Sequence, residues 1–176
     1  MSSQTISLST NRLLLRPVAT GDSVLLDAAG TLPDDHFSAL PPVDDLIREK
    51  GLRSPGDTLS LVVETLASRE VVGVVRLTWS QAESGLGQLS FVFDAAHAHR
   101  GYCVEAIQAL MDMAFTQLPF ERLSADCDNR NGAREKPLQR LGLSYRIGSV
   151  TPDGKRTYEI SRDEWARFYT GSQLVA

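Results

Sequence analysis

Short runs in which apolar and polar residues alternate dominate the first half of the chain, and this two-residue period predicts β-strands. The runs cover residues 12–16, 59–66, 71–79 and 87–93. The polar turn at residues 67–70 joins the second run to the third as an antiparallel hairpin. Three consecutive strands therefore form a meander. Before them, the sequence predicts a helix over the apolar residues 24–29, a proline-rich loop over 31–42 and a short helix over 43–52.

The apolar spacing becomes helical after residue 101. Seven apolar side chains recur every three or four positions and predict a helix over 102–118: Val104, Ile107, Leu110, Met111, Ala114, Phe115 and Leu118. A strand over 122–127 and a helix over 131–141 that ends at Gly142 follow. Two strands over 143–150 and 156–160 come next. Ser161 and Glu164 have the spacing of a capping box and predict a last short helix.

This order of elements predicts a mixed sheet with helices on both faces, an α/β (α+β) fold. The 176 residues suit one domain, 1–176, with a core over about 10–168. No apolar run approaches the roughly 20 residues that span a bilayer, and the polar N-terminus does not resemble a signal peptide. Two cysteines form no disulfide framework, so we expect a cytoplasmic protein with free thiols and no membrane partner. The net charge of −4 argues against a surface that binds nucleic acid throughout.

Several local sequences resemble the Gcn5-related N-acetyltransferases (GNAT), in particular the ribosomal-protein alanine acetyltransferase branch. They are Thr-Asn-Arg-Leu-Leu-Leu-Arg-Pro at 10–17, Gln-Leu-Ser-Phe-Val-Phe-Asp at 88–94, Gly-Tyr-Cys-Val-Glu-Ala at 101–106, and Asn-Gly-Ala-Arg at 131–134, continued as Leu-Gln-Arg-Leu-Gly-Leu at 138–143. The resemblance runs from about residue 10 to 168. It implies a mostly antiparallel central sheet of about seven strands and an N-acyltransferase that uses acetyl-CoA or another acyl-CoA.

The resemblance also implies where the donor binds. Its pyrophosphate would lie on backbone N–H groups at a helix N-terminus, its pantetheine arm would pair with the fourth family strand, and an amine would attack the thioester directly. Ten residues fall on these family positions: Phe91, Val92, Phe93, His99, Arg100, Gly101, Tyr102, Cys103, Asn131 and Arg134.

The donor loop departs from the family pattern, which reads Arg-Gly-Lys-Gly-Tyr-Ala in this branch. Here Ala98 replaces the leading arginine and His99 replaces the first glycine, while Gly101 is retained and Arg100 stands for the lysine. Two hypotheses stay open. In the first, the loop has drifted and still binds phosphate if His99 adopts the required backbone conformation. In the second, the donor is changed or lost, because a non-glycine residue with positive φ is uncommon.

Two further departures concern the walls of the site. Arg134 and Pro137 stand where the family often has serine and an aliphatic residue, and a proline inside a helix costs about 3 kcal/mol. We therefore expect this helix to start late or to kink. Gln88 stands where many relatives have a glutamate near the acceptor amine, and an amide cannot act as a base.

Candidate catalytic groups are few. His97 or His99 could take a proton from the attacking amine, although an exposed pair of loop histidines is the simpler interpretation, and a metal site lacks a third ligand. Asn131 could contact the donor, and Tyr145 or Tyr158 could protonate the leaving thiolate. Cys103 could form an acyl-cysteine, but a small packing residue is the more ordinary role. Acidic residues near strand ends could bind the acceptor or act as base: Glu83, Asp126 and Asp128.

Three functions remain compatible with the sequence. The first is an acyl-CoA-dependent transferase whose acceptor is a small-molecule or peptide amine. The second takes its acyl group from an aminoacyl-tRNA or a carrier protein, which would meet a basic patch made of Arg100, Arg130, Arg134, Lys136 and Arg140. The third is a non-catalytic binding protein of the same fold. A homodimer is compatible with each of them.

Overall fold

Eight strands form one sheet in the computed structural model, which describes residues 6–22, 42–49, 51–127 and 132–172. The strands are β1 (Leu8–Ser9), β2 (Leu13–Pro17), β3 (Thr58–Thr65), β4 (Val71–Trp79), β5 (Leu86–Phe93), β6 (Arg122–Cys127), β7 (Ser144–Val150) and β8 (Arg156–Ser161). Four α-helices lie in the same ranges: α1 (Val43–Arg48), α2 (Tyr102–Gln117), α3 (Gly132–Arg140) and α4 (Arg162–Ser172).

The strands follow the order β1-β2-β3-β4-β5-β6-β8-β7 across the sheet. Every neighbouring pair is antiparallel except β5 and β6, which run parallel. Helix α2 connects these two strands, since parallel neighbours need a crossover. The mixed, mostly antiparallel sheet predicted from the sequence is therefore confirmed.

The two faces of the sheet carry different cores. One face holds the larger core, in which Leu61, Val75 and Leu77 of the sheet pack with side chains of α2 and α3 such as Leu110 and Leu138. The opposite face holds a small cluster of Val18, Leu46, Val62 and Val74, so that α1 covers only the β3–β4 part of it. Helices thus lie on both faces, as predicted, but one face of the sheet is mainly polar between β4 and β8.

Local sequence signals explain how two helices end or begin. The Ser161 hydroxyl accepts a hydrogen bond from the Glu164 N–H at 3.1 Å, and the Glu164 carboxylate accepts one from the Ser161 N–H at 2.8 Å, which confirms the capping box that starts α4. At the end of α3, Gly142 has φ +88° and the Leu143 N–H donates to the Leu138 carbonyl at 3.0 Å. This is the arrangement that a glycine after a helix favours.

Four elements differ from the expectations or lie outside the described residues. The short strand β1 was not predicted, because two residues carry no periodicity. Helix α1 ends at Arg48, earlier than predicted, and the helix predicted over 24–29 lies outside the described residues. Helix α3 was expected to start late or to kink. It begins at Gly132 and contains Pro137 in its second turn, so the late start is wrong, and the kink stays a prediction.

Candidate active site

Strands β5 and β6 lie side by side for only three residue pairs. Leu86 lies opposite Arg122, Gly87 opposite Leu123 and Gln88 opposite Ser124, and there the ladder between the two strands stops. Beyond it, β5 continues to Phe93 beside β4, whereas β6 continues to Cys127 beside β8. The sheet therefore opens into a wedge whose apex is the pair Gln88–Ser124.

The backbone of β5 presents alternate residues to this wedge. The Asp94 N–H donates to the Val72 carbonyl, and the Ser80 N–H donates to the Leu86 carbonyl, so the even-numbered residues of β5 bond to β4. The N–H and C=O groups of Leu89, Phe91 and Phe93 consequently turn away from β4 and toward the wedge. Val92, by contrast, directs its backbone groups to β4 and buries its side chain.

A row of polar side chains crosses the sheet at the apex. The registers align Thr58, Thr78, Gln88, Ser124, Glu159 and Ser144 across six strands. Since side chains one residue apart point to opposite faces, this row lies on the polar face, away from α2 and α3. Gln88 is exposed, Ser124 is buried and Asp126, two residues further along β6, is exposed and accepts a hydrogen bond from the Thr157 hydroxyl at 2.8 Å.

The loop at the open end of the wedge leads into the N-terminus of α2. His99 has φ +64° and Gly101 has φ +77°, so both residues adopt the left-handed conformation. Gly101 is the N-cap and provides no side-chain cap hydrogen bond. The amides of the first turn of a 16-residue helix therefore face the loop side, where the helix dipole favours an anion. The backbone conformation that the sequence left in doubt at His99 is present.

Arg12, the residue just before β2, contacts this loop from outside. Its Nε and Nη2 donate to Glu105 Oε2 at 2.7 and 2.6 Å, and its Nη1 donates to the Arg100 carbonyl at 2.9 Å. Its guanidinium also lies 4.9 Å from the centre of the Tyr102 ring. One arginine thereby joins the loop backbone, the N-cap region and the first turn of α2.

Glu105 is the carboxylate that this arrangement depends on. Burial raises the pKa of Glu105. Hydrogen bonds from the Thr10 hydroxyl and from the side chain and N–H of Arg12 lower it by more than burial raises it, so the pKa lies below the ordinary value. Glu105 therefore stays ionised at neutral pH, and its negative charge in the first turn also suits the helix dipole.

His97 occupies the other side of the loop. Its Nε2 lies 3.3 Å from a Glu70 carboxylate oxygen and its Nδ1 lies 3.5 Å from an Asp94 carboxylate oxygen, and only 9% of the side chain is exposed. Glu70 belongs to the turn between β3 and β4, so His97 attaches the donor loop to that turn. His99 and Arg100, in contrast, are exposed.

The two candidate tyrosines face each other on the α3 side of the sheet. Tyr145 and Tyr158 are register partners on β7 and β8, with ring centres 5.9 Å apart. The Tyr158 hydroxyl donates to the Glu135 carboxylate, and burial together with this carboxylate raises the pKa of Tyr158 to about 12. The guanidinium of Arg156 lies 5.3 Å from the centre of the Tyr145 ring.

The remaining sequence candidates are distributed as follows. Cys103 is half-buried in the first turn of α2 and packs against the core. Glu83 lies outside the wedge, where it accepts a hydrogen bond from Arg122 at 3.0 Å. Asn131, Asp128 and Arg130 lie outside the described residues, as does the side chain of Arg134. In the described ranges, no three His, Cys, Asp or Glu side chains come together as metal ligands.

Sequence reasoning missed the residues that hold the donor loop in place. Glu105 lies 95 positions from Thr10 and 93 from Arg12, yet the three form one hydrogen-bonded group. In the sequence, the segments 10–17 and 101–106 that contain these residues were identified only by their resemblance to the GNAT family. A usable signal was present in the sequence: Arg12 precedes a strand and Glu105 lies in the first turn of a helix, and neither had an assigned partner.

Comparison with known proteins agrees with this geometry. The model of the acetyltransferase (GNAT) domain family matches residues 12–144, most of the chain. The chain therefore belongs to the GNAT family, and its class of activity is N-acyltransfer. Among the described residues, no helix is both long and apolar enough to cross a membrane.

Individual relatives show the same similarity in sequence and fold. The chain is 29% identical over 155 residues to the uncharacterized N-acetyltransferase YjdG of Bacillus subtilis, covering 78% of this chain and 89% of that protein. A Vibrio cholerae protein provisionally assigned as a ribosomal-protein-serine acetyltransferase superposes with a TM-score of 0.73 at 17% identity, covering 92% and 99% of the two chains. An aminoglycoside acetyltransferase solved with coenzyme A superposes with a TM-score of 0.69 at 17% identity, and the match covers 89% of this chain and 99% of that chain.

Proposed function

We propose that this protein transfers an acyl group, with acetyl as the simplest case, from acyl-CoA to a primary amine by direct attack on the thioester. The observation that carries the proposal is the left-handed backbone at His99 and Gly101 beside the N-terminus of α2. Left-handed residues just before a helix N-terminus help to form a concave set of backbone N–H groups, which suits an anion such as a phosphate. The coenzyme A seen in the related aminoglycoside acetyltransferase supports the same donor.

The donor would lie along the open side of β5. Its pyrophosphate would accept hydrogen bonds from amides of the loop and of the first turn of α2. Its pantetheine amides would pair with backbone groups such as those of Leu89 and Phe93, which turn toward the wedge. The thioester would then reach the apex near Gln88 and Ser124, where a strand N–H can stabilise the oxyanion.

With the donor placed along β5, the loop that binds its pyrophosphate lies far from the apex where proton transfer takes place. Asp94 lies six positions after Gln88, which corresponds to roughly 20 Å at the rise of a strand. A general base must lie within about 3 Å of the proton or act through one water. His97 and His99 are therefore assigned to the donor loop, as is Cys103, and none of them to proton transfer at the apex.

The acceptor amine would approach from the polar face. Asp126 is the exposed carboxylate on β6 nearest the apex row, and we assign it the role of general base, directly or through water. Gln88 would orient the amine without taking its proton. On the other face, Tyr158 already donates its proton to Glu135, so Tyr145 is the tyrosine that we assign to the leaving thiolate. That Asn131 contacts the acyl donor stays a prediction.

Another carrier, such as aminoacyl-tRNA or an acyl carrier protein, is less well supported. Lys136 and Arg140 are exposed on α3 and Arg100 is exposed in the loop. A solvated basic helix face explains them equally well, and the chain has a net negative charge. Among the described residues, no contact or charge pattern therefore favours these carriers over acyl-CoA.

A thiol-release assay tests the proposal. Purified protein would be mixed with acetyl-CoA and a panel of primary amines, among them peptides with free N-termini, diamines and aminoglycosides. We expect turnover with at least one amine and a loss of about 100-fold or more in kcat/KM for Asp126→Asn at constant donor KM, in line with the usual contribution of general base catalysis. Mass spectrometry of the amine would follow transfer from an aminoacyl-tRNA, which releases no thiol. Turnover with that donor or with a carrier-protein thioester, and none with acetyl-CoA, would contradict the proposal.

A further inference from the structure

We propose that Arg12 is a positioning residue for the acyl donor: from outside the loop 98–101 it holds that loop in its phosphate-binding shape. The inference rests on the proposed function, because it names the device by which that site holds its donor. The loop has Ala98 where the family has an arginine.

The first step of the argument is geometric. Arg12 donates to the carbonyl of Arg100, the residue between the two left-handed positions. A Cβ built on Gly101 would lie 3.4 Å from Arg12 Nη2, so the guanidinium is packed directly against the N-cap. Fixing the Arg100 carbonyl fixes the orientation of the peptide that follows it, and hence of the Gly101 N–H.

The second step concerns strain. His99 is held in a conformation that a non-glycine residue seldom adopts, and such strain persists only where surrounding contacts over-determine the backbone. The contacts of Arg12 with the Arg100 carbonyl and the Tyr102 ring lie immediately C-terminal to His99. The loop can therefore tolerate a histidine where the family has glycine.

The third step concerns charge. Glu105 accepts two N–H groups of Arg12, and the Arg100 carbonyl accepts a third, which leaves two of the five guanidinium N–H groups on a side chain that is 50% exposed. The pair Arg12–Glu105 has little net charge, so its effect on an anion comes mainly through the shape of the loop. A lysine could keep the ion pair but not the carbonyl bond and the stacking at once.

The test compares Arg12→Gln with Arg122→Gln, an arginine that likewise joins two carboxylates, Glu83 and Glu159, but far from the loop. Calorimetry with acetyl-CoA would measure the dissociation constant of each variant, and thermal melting would show that each is folded. We expect Arg12→Gln to weaken binding at least tenfold and Arg122→Gln to leave it within about twofold.

A second readout separates positioning from general destabilisation. With acetyl-CoA, Arg12→Gln should raise the donor KM and leave kcat at saturation within about twofold. With S-acetylpantetheine, which has no pyrophosphate, kcat/KM should be the same for the variant and the unaltered protein. Arg12→Lys, which retains the ion pair with Glu105, should fold even if Arg12→Gln does not, and should still bind acetyl-CoA several-fold more weakly.

The outcomes are distinct. Equal affinity of the folded Arg12 variants and the unaltered protein would overturn this inference and leave the proposed function standing. An equal loss with S-acetylpantetheine would also overturn it, since the effect would then not involve the pyrophosphate. Absence of acetyl-CoA binding by the unaltered protein would overturn the proposed function and this inference with it.

Discussion

Gln88 of β5 lies directly opposite Ser124 of β6, and this is the last pair that the two parallel strands form. Gly87, next to it, lets the strands approach closely, because a Cβ there would lie 2.7 Å from a Leu123 methyl and 2.9 Å from a Leu77 methyl. The apex of the wedge is therefore tightly packed, while the strands diverge beyond it. The proposed reaction takes place at this junction.

The first prediction concerns the backbone at His99. His99→Gly should keep the acetyl-CoA dissociation constant within about threefold, because glycine adopts positive φ freely. His99→Val should weaken binding about tenfold or more, since a β-branched residue at positive φ is a true outlier. Calorimetry on both variants measures the difference. A large loss in the glycine variant would mean that the imidazole itself binds the donor.

The second prediction concerns the buried ion pair between Arg16 and Asp22. Arg16 donates to both carboxylate oxygens of Asp22 at 2.9 Å, and only 6% of the Asp22 side chain is exposed. Arg16→Met leaves this carboxylate buried without its cation and should lower the free energy of unfolding by about 3 kcal/mol or more. Urea denaturation at pH 7 measures the loss. Arg122→Met should cost less than about 1 kcal/mol, because its partner Glu83 is exposed and its partner Glu159 also lies 3.7 Å from Arg146.

The same pair gives a pH dependence. The hydrogen bonds from Arg16 lower the pKa of Asp22 below its ordinary value of 3.8, despite burial. A carboxyl whose pKa is lower in the folded state contributes stability above pH 3.8, and that contribution is lost as the pH falls through the folded-state pKa. The deficit of Arg16→Met should therefore shrink in strong acid. A constant deficit would show that packing, not charge, is responsible.

The third prediction concerns Asp112, whose pKa is shifted in the opposite direction to that of Asp22. Burial between α2 and α4 raises its pKa, although its carboxylate accepts a hydrogen bond from the Trp165 indole at 3.2 Å. The folded state therefore binds this proton more tightly, so stability falls as the pH rises from about 4 through the raised pKa. Asp112→Asn keeps an acceptor for Trp165 and should raise the free energy of unfolding at pH 7, where the wild-type carboxylate is ionised in a buried place. Stability equal to that of the unaltered protein at pH 7 would refute this.

The fourth prediction concerns two late-titrating phenols. Burial raises the pKa of both Tyr158 and Tyr169 to about 12 from an ordinary value of 10.0. Absorbance at alkaline pH should show both ionising about two units late in the folded protein, and Tyr158→Phe should remove one of them. Stability should be constant up to about pH 10 and fall between 10 and 12, because the unfolded state loses these protons first.

The sheet and its helices could be read from periodicity because their core residues repeat every two or about 3.6 positions. Strand β4 and strand β6 were predicted with their observed ends, and the end of α2 was predicted within one residue. Pro137 misled the prediction for α3, since propensity alone does not include the packing of Leu138 and Leu141 into the core, which holds the helix in place.

The candidate site was less predictable because it depends on pairs distant in sequence. The altered loop residues Ala98 and His99 left open whether the loop still binds the donor. The contacts of Arg12, which we propose hold this loop, join positions 88 residues apart. His97 was a candidate general base in the sequence, and an exposed position was the simpler expectation. Its side chain instead lies beside Glu70 and Asp94 and is only 9% exposed. No local pattern encodes either relationship.

The measurement that tests the central claim most directly is calorimetric titration of the purified protein with acetyl-CoA, with desulfo-CoA as a non-reactive control. The account predicts saturable binding of both ligands with dissociation constants on the order of micromolar, typical of enzyme substrates. A folded protein that binds neither ligand up to millimolar concentration would contradict it, because the loop at His99 would then not be a pyrophosphate site.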